Sequence, residues 1–228
     1  TFDDGLAVVY HKIRPILLKH GISAAFFINP PFIDQAELHY KRKVNLISKK
    51  LRNEPQYLPA AQSVLHAASI TSDDVAGAIE KLAYHQSRLI NRLAEAVQVD
   101  IAQYLKENPI YLTTEQINRM IAEGFTFGAH SWDHPNYIDL LIEEQCIQTS
   151  ASMQWVAEHF TPGYRFFAFP YRDFHLSKAL FANIGPVDLT FGTHGMVNDV
   201  IPNHIQRTDV ERSGLPCGSA MKINYLKY

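Results

Sequence analysis

TFDDGLAVVYHKIRPILLKHGISAAFFIN, residues 1–29, decides the fold. Thr1 and Phe2 read as the end of a strand. Residues 6–19 place apolar side chains at helical spacing and run into His20-Gly21, a stop signal, with Pro15 to be accommodated near the middle. Residues 23–29 form a short, continuous apolar run ended by Pro30-Pro31, the pattern of a strand covered on both faces. Strand, helix, strand is the opening of a parallel α/β unit.

The rhythm breaks and then resumes. From about 34 to 108 the sequence carries a basic run (HYKRKVNLISKKLR, 39–52), a helix start at TSDD (71–74) and a long helical stretch through Tyr104, with no strand pattern. This reads as a helical insertion within a single domain spanning 1–228. Thr113 and Gln116 then make a capping box before a helix ending at Gly124, and FTFGA (125–129) reads as a strand. Further rounds follow: helix 140–159, strand 165–169, helix 175–183, strand 187–191 and a last strand at 205–210. The alternation predicts an α/β fold with a parallel barrel, complete or distorted, whose chemistry gathers where strands end.

Composition narrows the function classes. With 46% hydrophobic and 19% charged residues and a net charge of −2, the 228-residue chain is typical of a globular protein and has no basic footprint for nucleic acid. The two cysteines, Cys146 and Cys217, are too few for a disulfide framework and read as free thiols. No apolar run approaches the roughly 20 residues of a membrane span, and no basic-then-apolar signal segment precedes the first motif. The expected compartment is cytoplasmic, subject to any earlier strand and leader preceding Thr1 in a longer chain.

Four segments fall at the C-terminal ends of predicted strands: TFDDG (1–5), GAHSWDH (128–134), FPY (169–171) and FGTHG (191–195). In a strand, Asp3 and Asp4 would face opposite ways, but a break at Gly5 lets both turn toward the barrel mouth. One carboxylate with His130 and His134 supplies three ligands and leaves an open position, the pattern of a catalytic zinc site, and the other carboxylate is free to act as a base. Eleven histidines give a chance expectation of roughly a half for some His-x-x-x-His. The weight therefore rests on the three motifs occurring in order, each after an apolar strand.

TFDDG, HSWDH and FAFPY in this order resemble the signature motifs of the NodB-type polysaccharide deacetylases, carbohydrate esterase family 4. The resemblance covers about 1–33 and 111–210 and leaves the helical insertion unmatched. It implies a distorted (β/α) barrel with fewer strands than a full eight-stranded one, and metal-dependent removal of acetyl groups from N-acetylated sugars, most often with zinc. It further implies that Asp3 is the catalytic base, that Asp4, His130 and His134 hold the metal, and that the backbone N–H of Tyr171, after Pro170, is the oxyanion donor.

Two family features are displaced. Phe169 stands where the family carries the arginine that pairs with the base, and Arg172 replaces a glycine. Arg207 is the first candidate for that partner and Arg165 the second. The late histidine motif that supplies the general acid is absent in recognisable form, so His194 is preferred and His204 comes second. Trp132, between the metal histidines, is expected to face the cleft and stack on a sugar ring. The expected partner is an N-acetylated glycan or glycan precursor, and the helical insertion is a candidate homodimer contact. Two other functions stay open: a non-catalytic glycan-binding descendant, and a hydrolase of a small non-sugar amide.

Overall fold

The computed structural model describes residues 1–195 and 197–210, so Cys217 lies outside the described residues. Five parallel strands pair in chain order: β1 (Ala25–Ile28), β2 (Thr126–Ala129), β3 (Phe166–Ala168), β4 (Leu189–Gly192) and β5 (His204–Gln206). Phe2 adds a parallel bridge on the free side of β1, its N–H bonding Ala25 and its carbonyl accepting from Phe27 at 3.0 and 2.8 Å. The last strand differs from expectation. It starts at His204 and ends at Gln206 rather than spanning 205–210: the Arg207 N–H still makes a last rung to Gly192, but its carbonyl accepts from Gly195, one residue out of register, and the regular ladder ends there.

Each strand is short, and both faces of the sheet are apolar along β1 to β4. Phe26, Ile28, Phe127, Phe167 and Phe169 join Leu17, Ile117, Met120, Val156 and Leu180 in the main core. On the other face Phe27, Ala168 and Phe191 pack with Phe166 and Leu189. Neighbouring side chains alternate between these faces with a period of two, so Phe26 joins one cluster and Phe27 the other. The rings of Phe27 in β1 and Phe191 in β4 lie 5.1 Å apart although two strands separate them in the sheet, which shows how strongly the sheet curls around this inner cluster. Side chains from both edges also meet: Arg207, just beyond β5, donates to Thr1 and Asp3, which flank Phe2, the residue bridged to β1. This is the wall of a distorted (β/α) barrel with side chains filling its interior.

The first helical run is not one uniform helix. Val9–Ile13 winds as a π-helix, and α1 (Arg14–His20) begins just before Pro15. Helical winding is unbroken from 7 to 20, so Pro15 lies near the middle of the run as its sequence predicts, and the wider π turn just before it accommodates the missing N–H. After α2 (Tyr40–Asn53), α3 (Leu58–Ala67), α4 (Val75–Glu80), α5 (Ser87–Ala96) and α6 (Ile101–Glu107), helices α7 (Thr114–Ala122), α8 (Ile142–Phe160) and α9 (Lys178–Asn183) cover the later strands. The Thr113–Gln116 capping box starts α7 as its sequence predicts.

Arg14 ties α1 to Glu123 at the end of α7 through a two-pronged ion pair, with Nε to Oε2 at 2.5 Å. The hydrogen bonds from Arg14 hold the Glu123 carboxyl below its ordinary range, against a smaller upward push from burial. A depressed carboxyl stabilises the fold above its unfolded pKa, and that contribution is lost as pH falls through the folded value. Glu123→Gln should therefore lower the melting temperature at neutral pH, and the gap to wild type should close on acidification below about pH 4. Thermal scans across pH 3–7 check this.

Asp34–Ile110 forms a compact unit of its own. It contains α2 (Tyr40–Asn53), α3 (Leu58–Ala67), α4 (Val75–Glu80), α5 (Ser87–Ala96) and α6 (Ile101–Glu107), around a core that includes Val44, Ile47, Leu65, Ile79, Ile90 and Leu93. The long helical stretch expected from 71 to 104 is broken into three. Asp74 and Asp100 each accept a backbone N–H three residues on, at 2.8 Å, and so cap the starts of new helices. In the basic run, Lys43 is buried on Glu37 and Asn91 and Arg52 pairs with Glu80, whereas Lys41, Arg42 and Lys49 are exposed.

Candidate active site

Just beyond the Phe2 bridge come two consecutive left-handed residues, Asp4 at φ +69° and Gly5 at φ +60°. Aspartate tolerates this region better than most residues, and glycine does so without strain. A side chain at Gly5 would also approach Ile28 Cγ2 to 3.1 Å. This double turn is the physical reason for the Asp-Gly order, since it lets adjacent carboxylates serve one site instead of opposite sheet faces.

The histidines come from the end of β2. His130 continues the ladder by donating its N–H to Ile28 at 2.9 Å. The turn that follows is held from several sides. The Asn29 amide donates to the carbonyls of His130 and Ser131, the Ser131 hydroxyl accepts the His134 N–H at 3.1 Å, and Gln148 of α8 accepts the N–H of Trp132 at 2.9 Å. Ser131 and His134 both sit at positive φ, so the turn needs this support. His130 is buried and its Nδ1–H donates to the Ala168 carbonyl at 2.8 Å. That bond fixes the tautomer and leaves Nε2 as the electron-pair donor.

His130 Nε2 lies 3.5 Å and His134 Nε2 3.1 Å from Asp4 Oδ1. Bonds of about 2.0–2.1 Å in tetrahedral zinc geometry put ligand atoms about 3.3 Å apart, so this donor set fits a zinc-sized ion. Burial pushes the His130 imidazole below its ordinary pKa, further lowered by His134 and opposed by Asp3 and Asp4, which favours the neutral ring a metal needs.

Asp3 is gripped from the far end of the chain. Arg207 Nη1 donates to Oδ1 at 2.7 Å and Nη2 to Oδ2 at 2.9 Å, a bidentate pair. The guanidinium lies 5.3 Å from the Phe27 ring centroid, at the top of the inner aromatic cluster. Burial alone would raise the Asp3 carboxyl; the charge on His130 and the bonds from Arg207 more than reverse this, and its pKa is lowered. Because burial keeps His130 neutral, Arg207 is the partner that still acts at neutral pH. The Asp3 side chain retains 30% of its surface, enough to be reached from solvent.

Tyr171 follows buried Pro170 and packs edge-on against His134, with ring centroids 4.7 Å apart. Its φ is +56°, and Arg172 N–H bonds the Pro170 carbonyl at 2.7 Å across it, making a positive-φ γ-turn, a rare and strained form. Trp132 is half-buried beside the histidine turn. His194 is exposed, its ring 5.8 Å from that of Phe174, and among the described residues no hydrogen bond or ion pair joins its side chain to the acids. His204 opens β5 and is buried, bonded to Asp173 and Thr190. Arg165 is exposed, away from Asp3, with its backbone N–H on Asp188. Sequence reasoning passed over Asn29, Asp173 and Gln206, since no motif spacing marks them.

A family model described as polysaccharide deacetylase matches residues 66–183, just over half of the chain. The chain belongs to the polysaccharide deacetylase family. Its members are carbohydrate N-deacetylases, hydrolases by reaction class. For this family chain the matched stretch takes in the histidine turn and Pro170-Tyr171, begins within the helical unit that the motifs alone leave unmatched, and stops short of TFDDG. No curated protein matches the sequence significantly.

Among solved structures, IcaB from Ammonifex degensii is similar at 16% identity and a TM-score of 0.51, over 98% of this chain and 70% of that one. A de-N-acetylase from Aggregatibacter actinomycetemcomitans gives 14% and 0.51, over 98% and 72%. The Streptococcus pyogenes deacetylase PplD, solved in complex with acetate, gives 12% and 0.51, over 91% of this chain but only 61% of its own. At these identities the likeness concerns the fold. No described helix is long and apolar enough to cross a membrane.

Proposed function

We propose that this chain is a metal-dependent hydrolase that removes N-acetyl groups from an N-acetylated sugar in a polysaccharide or glycan precursor. The observation that carries the reading is the adjacency of two differently held carboxylates: Asp4 against His130 and His134, and Asp3 in the bidentate grip of Arg207. Asp4, His130 and His134 would hold a divalent ion, zinc before others, which would supply Lewis acidity toward an acetamide carbonyl and acidify a water.

Hydrolysis adds water to the acetyl carbon, breaks the C–N bond and yields acetate and a free amine. Asp3 accepts the proton of the attacking water, and Arg207 keeps both carboxylate oxygens in register as it does so. The Tyr171 N–H donates to the oxyanion that develops on the acetyl oxygen, a contribution of about 3–4 kcal/mol for one such donor. His194, exposed on the loop after β4, is the proposed proton donor to the leaving amine. His204 is the weaker candidate because its ring is already engaged inside the fold. Trp132 offers a stacking surface for the sugar ring.

Acetate release from N-acetylglucosamine oligomers of differing linkage, measured with zinc and after chelation, tests the reading. Release is expected with zinc and should fall to background without it. Binding of these oligomers with no release at any zinc concentration would instead identify a glycan-binding descendant. Release only from small acylated amines would move the substrate outside carbohydrates.

A further inference from the structure

Asp173 is almost fully buried two residues beyond Tyr171 and is used by none of the steps above. Its carboxylate collects donors from β5 and from the residue that follows β4. Oδ1 accepts the Thr193 N–H at 2.8 Å, and Oδ2 accepts from His204 Nε2 at 2.9 Å and Gln206 Nε2 at 2.5 Å. Gly192 is what lets this group sit against the sheet, because a Cβ there would stand 2.3 Å from Asp173 Oδ2 and 2.4 Å from Gln206 Oε1. His204 is anchored in turn by Thr190 at 2.7 Å.

The donor atoms of Asp173, Asp199 and His204 also have the spacing of an ion site. Gln206 argues against that use. Its Oε1 accepts the His194 N–H at 2.7 Å, which orients the amide so that Nε2 donates to both Asp173 and Asp199, at 2.5 and 2.9 Å. An amide donor thus fills the place a cation would take, and the cluster is a hydrogen-bond hub.

The hub touches the site at two points. Thr193, whose N–H ends on Asp173, donates its hydroxyl to the Tyr171 carbonyl at 3.1 Å, and so pins the strained turn. Gln206, whose amide ends on Asp173, immediately precedes Arg207. A positive-φ tyrosine persists only where its surroundings over-determine it, and the hub supplies that constraint.

We propose that Asp173 is a positioning residue: with His204, Gln206 and Thr193 it holds the Tyr171 turn beside His134 and sets β5 so that Arg207 meets Asp3. This rests on the deacetylase reading for its catalytic consequence, but the structural clamp stands independently of it. Burial would raise the Asp173 carboxyl, yet the bonds from His204, Gln206 and Thr193 bring it well below the usual carboxylate range, so it remains an all-acceptor centre at working pH. Asp173→Asn conserves shape while aiming an amide donor at groups that are themselves donors.

The test combines kinetics with hydrogen exchange. For Asp173→Asn we expect kcat on N-acetylglucosamine oligomers to fall on the order of 100-fold, the scale of a misplacement near 1 Å, with KM and zinc affinity little changed. Cleavage of p-nitrophenyl acetate, whose leaving group needs no proton, should fall in parallel. Exchange should quicken in the peptides covering 169–175 and 192–195, not in 128–134. Thr193→Val, which removes one hydroxyl, should show a smaller effect of the same kind and guards against misfolding of the first variant. For His204→Gln, parallel loss of amide and ester cleavage supports positioning, whereas loss of amide cleavage alone would make His204 the general acid and overturn its place in the clamp. Unchanged kcat and unchanged exchange in both Asp173→Asn and Thr193→Val would overturn the proposal. Should the wild type cleave neither substrate, the deacetylase reading fails and the exchange pattern alone decides the clamp.

Discussion

Asp3→Asn is expected to lower acetate release by about 10²–10⁴-fold, the range supplied by a positioned general base. The substitution keeps the volume of the side chain but removes the group that takes the proton. It also presents an amide to Arg207, which needs two acceptors and now finds one. Since Asp3 is not among the three residues assigned to the ion, zinc should still bind with an affinity within a few-fold of wild type. Parallel measurement of zinc binding and acetate release separates the roles. Activity that survives the substitution would remove Asp3 from the mechanism, and zinc affinity that collapses would make it a ligand.

The second large effect is at His130. His130→Gln should abolish stoichiometric zinc retention, with a loss of affinity beyond the 10–100-fold that follows removal of an outer hydrogen-bond partner. The reason lies in the geometry: Ala168 fixes Nδ1–H, so Nε2 alone faces Asp4, and glutamine does not reproduce that direction. Asp4 and His134 would remain as two ligands, too few to compete with a chelator. Competition against a chromophoric chelator reads the outcome. Retained zinc at wild-type affinity would show that the ion, if bound, sits elsewhere.

The legible part of the molecule is the part governed by local rules. Apolar runs such as Ala25–Ile28 are visible because a strand covered on both faces has no polar alternation, and Thr113 with Gln116 is visible because a capping box has fixed spacing. Expectation and structure part where a local pattern meets tertiary demand. The run 6–19 has helical periodicity, but Pro15 near its middle cannot donate to a regular α-helix, and the turn before it widens to a π-helix. The last strand ends earlier than its apolar pattern suggests because the Arg207 carbonyl takes the N–H of Gly195, out of register.

The site divides in the same way. Asp3, Asp4, His130 and His134 stand in short motifs, so they can be singled out from the sequence alone. Asp173 and Gln206 cannot, because one buried carboxylate collecting donors from β5 and from the residue that follows β4 leaves no trace in spacing. Even for Arg207 the sequence offers only a strand arginine in need of a partner. Its contact with Asp3 is a fact of how the sheet curls.

That contact spans 204 positions of the chain. A segment carrying the first acids and the histidine turn already contains every residue assigned to the ion, whereas the orientation of Asp3 waits for the last described strand to arrive. Closing so long a loop is among the entropically expensive steps of folding, though its cost grows only slowly with length. A chain in which β5 has not docked would keep every residue assigned to the ion but lack a properly aimed proton acceptor.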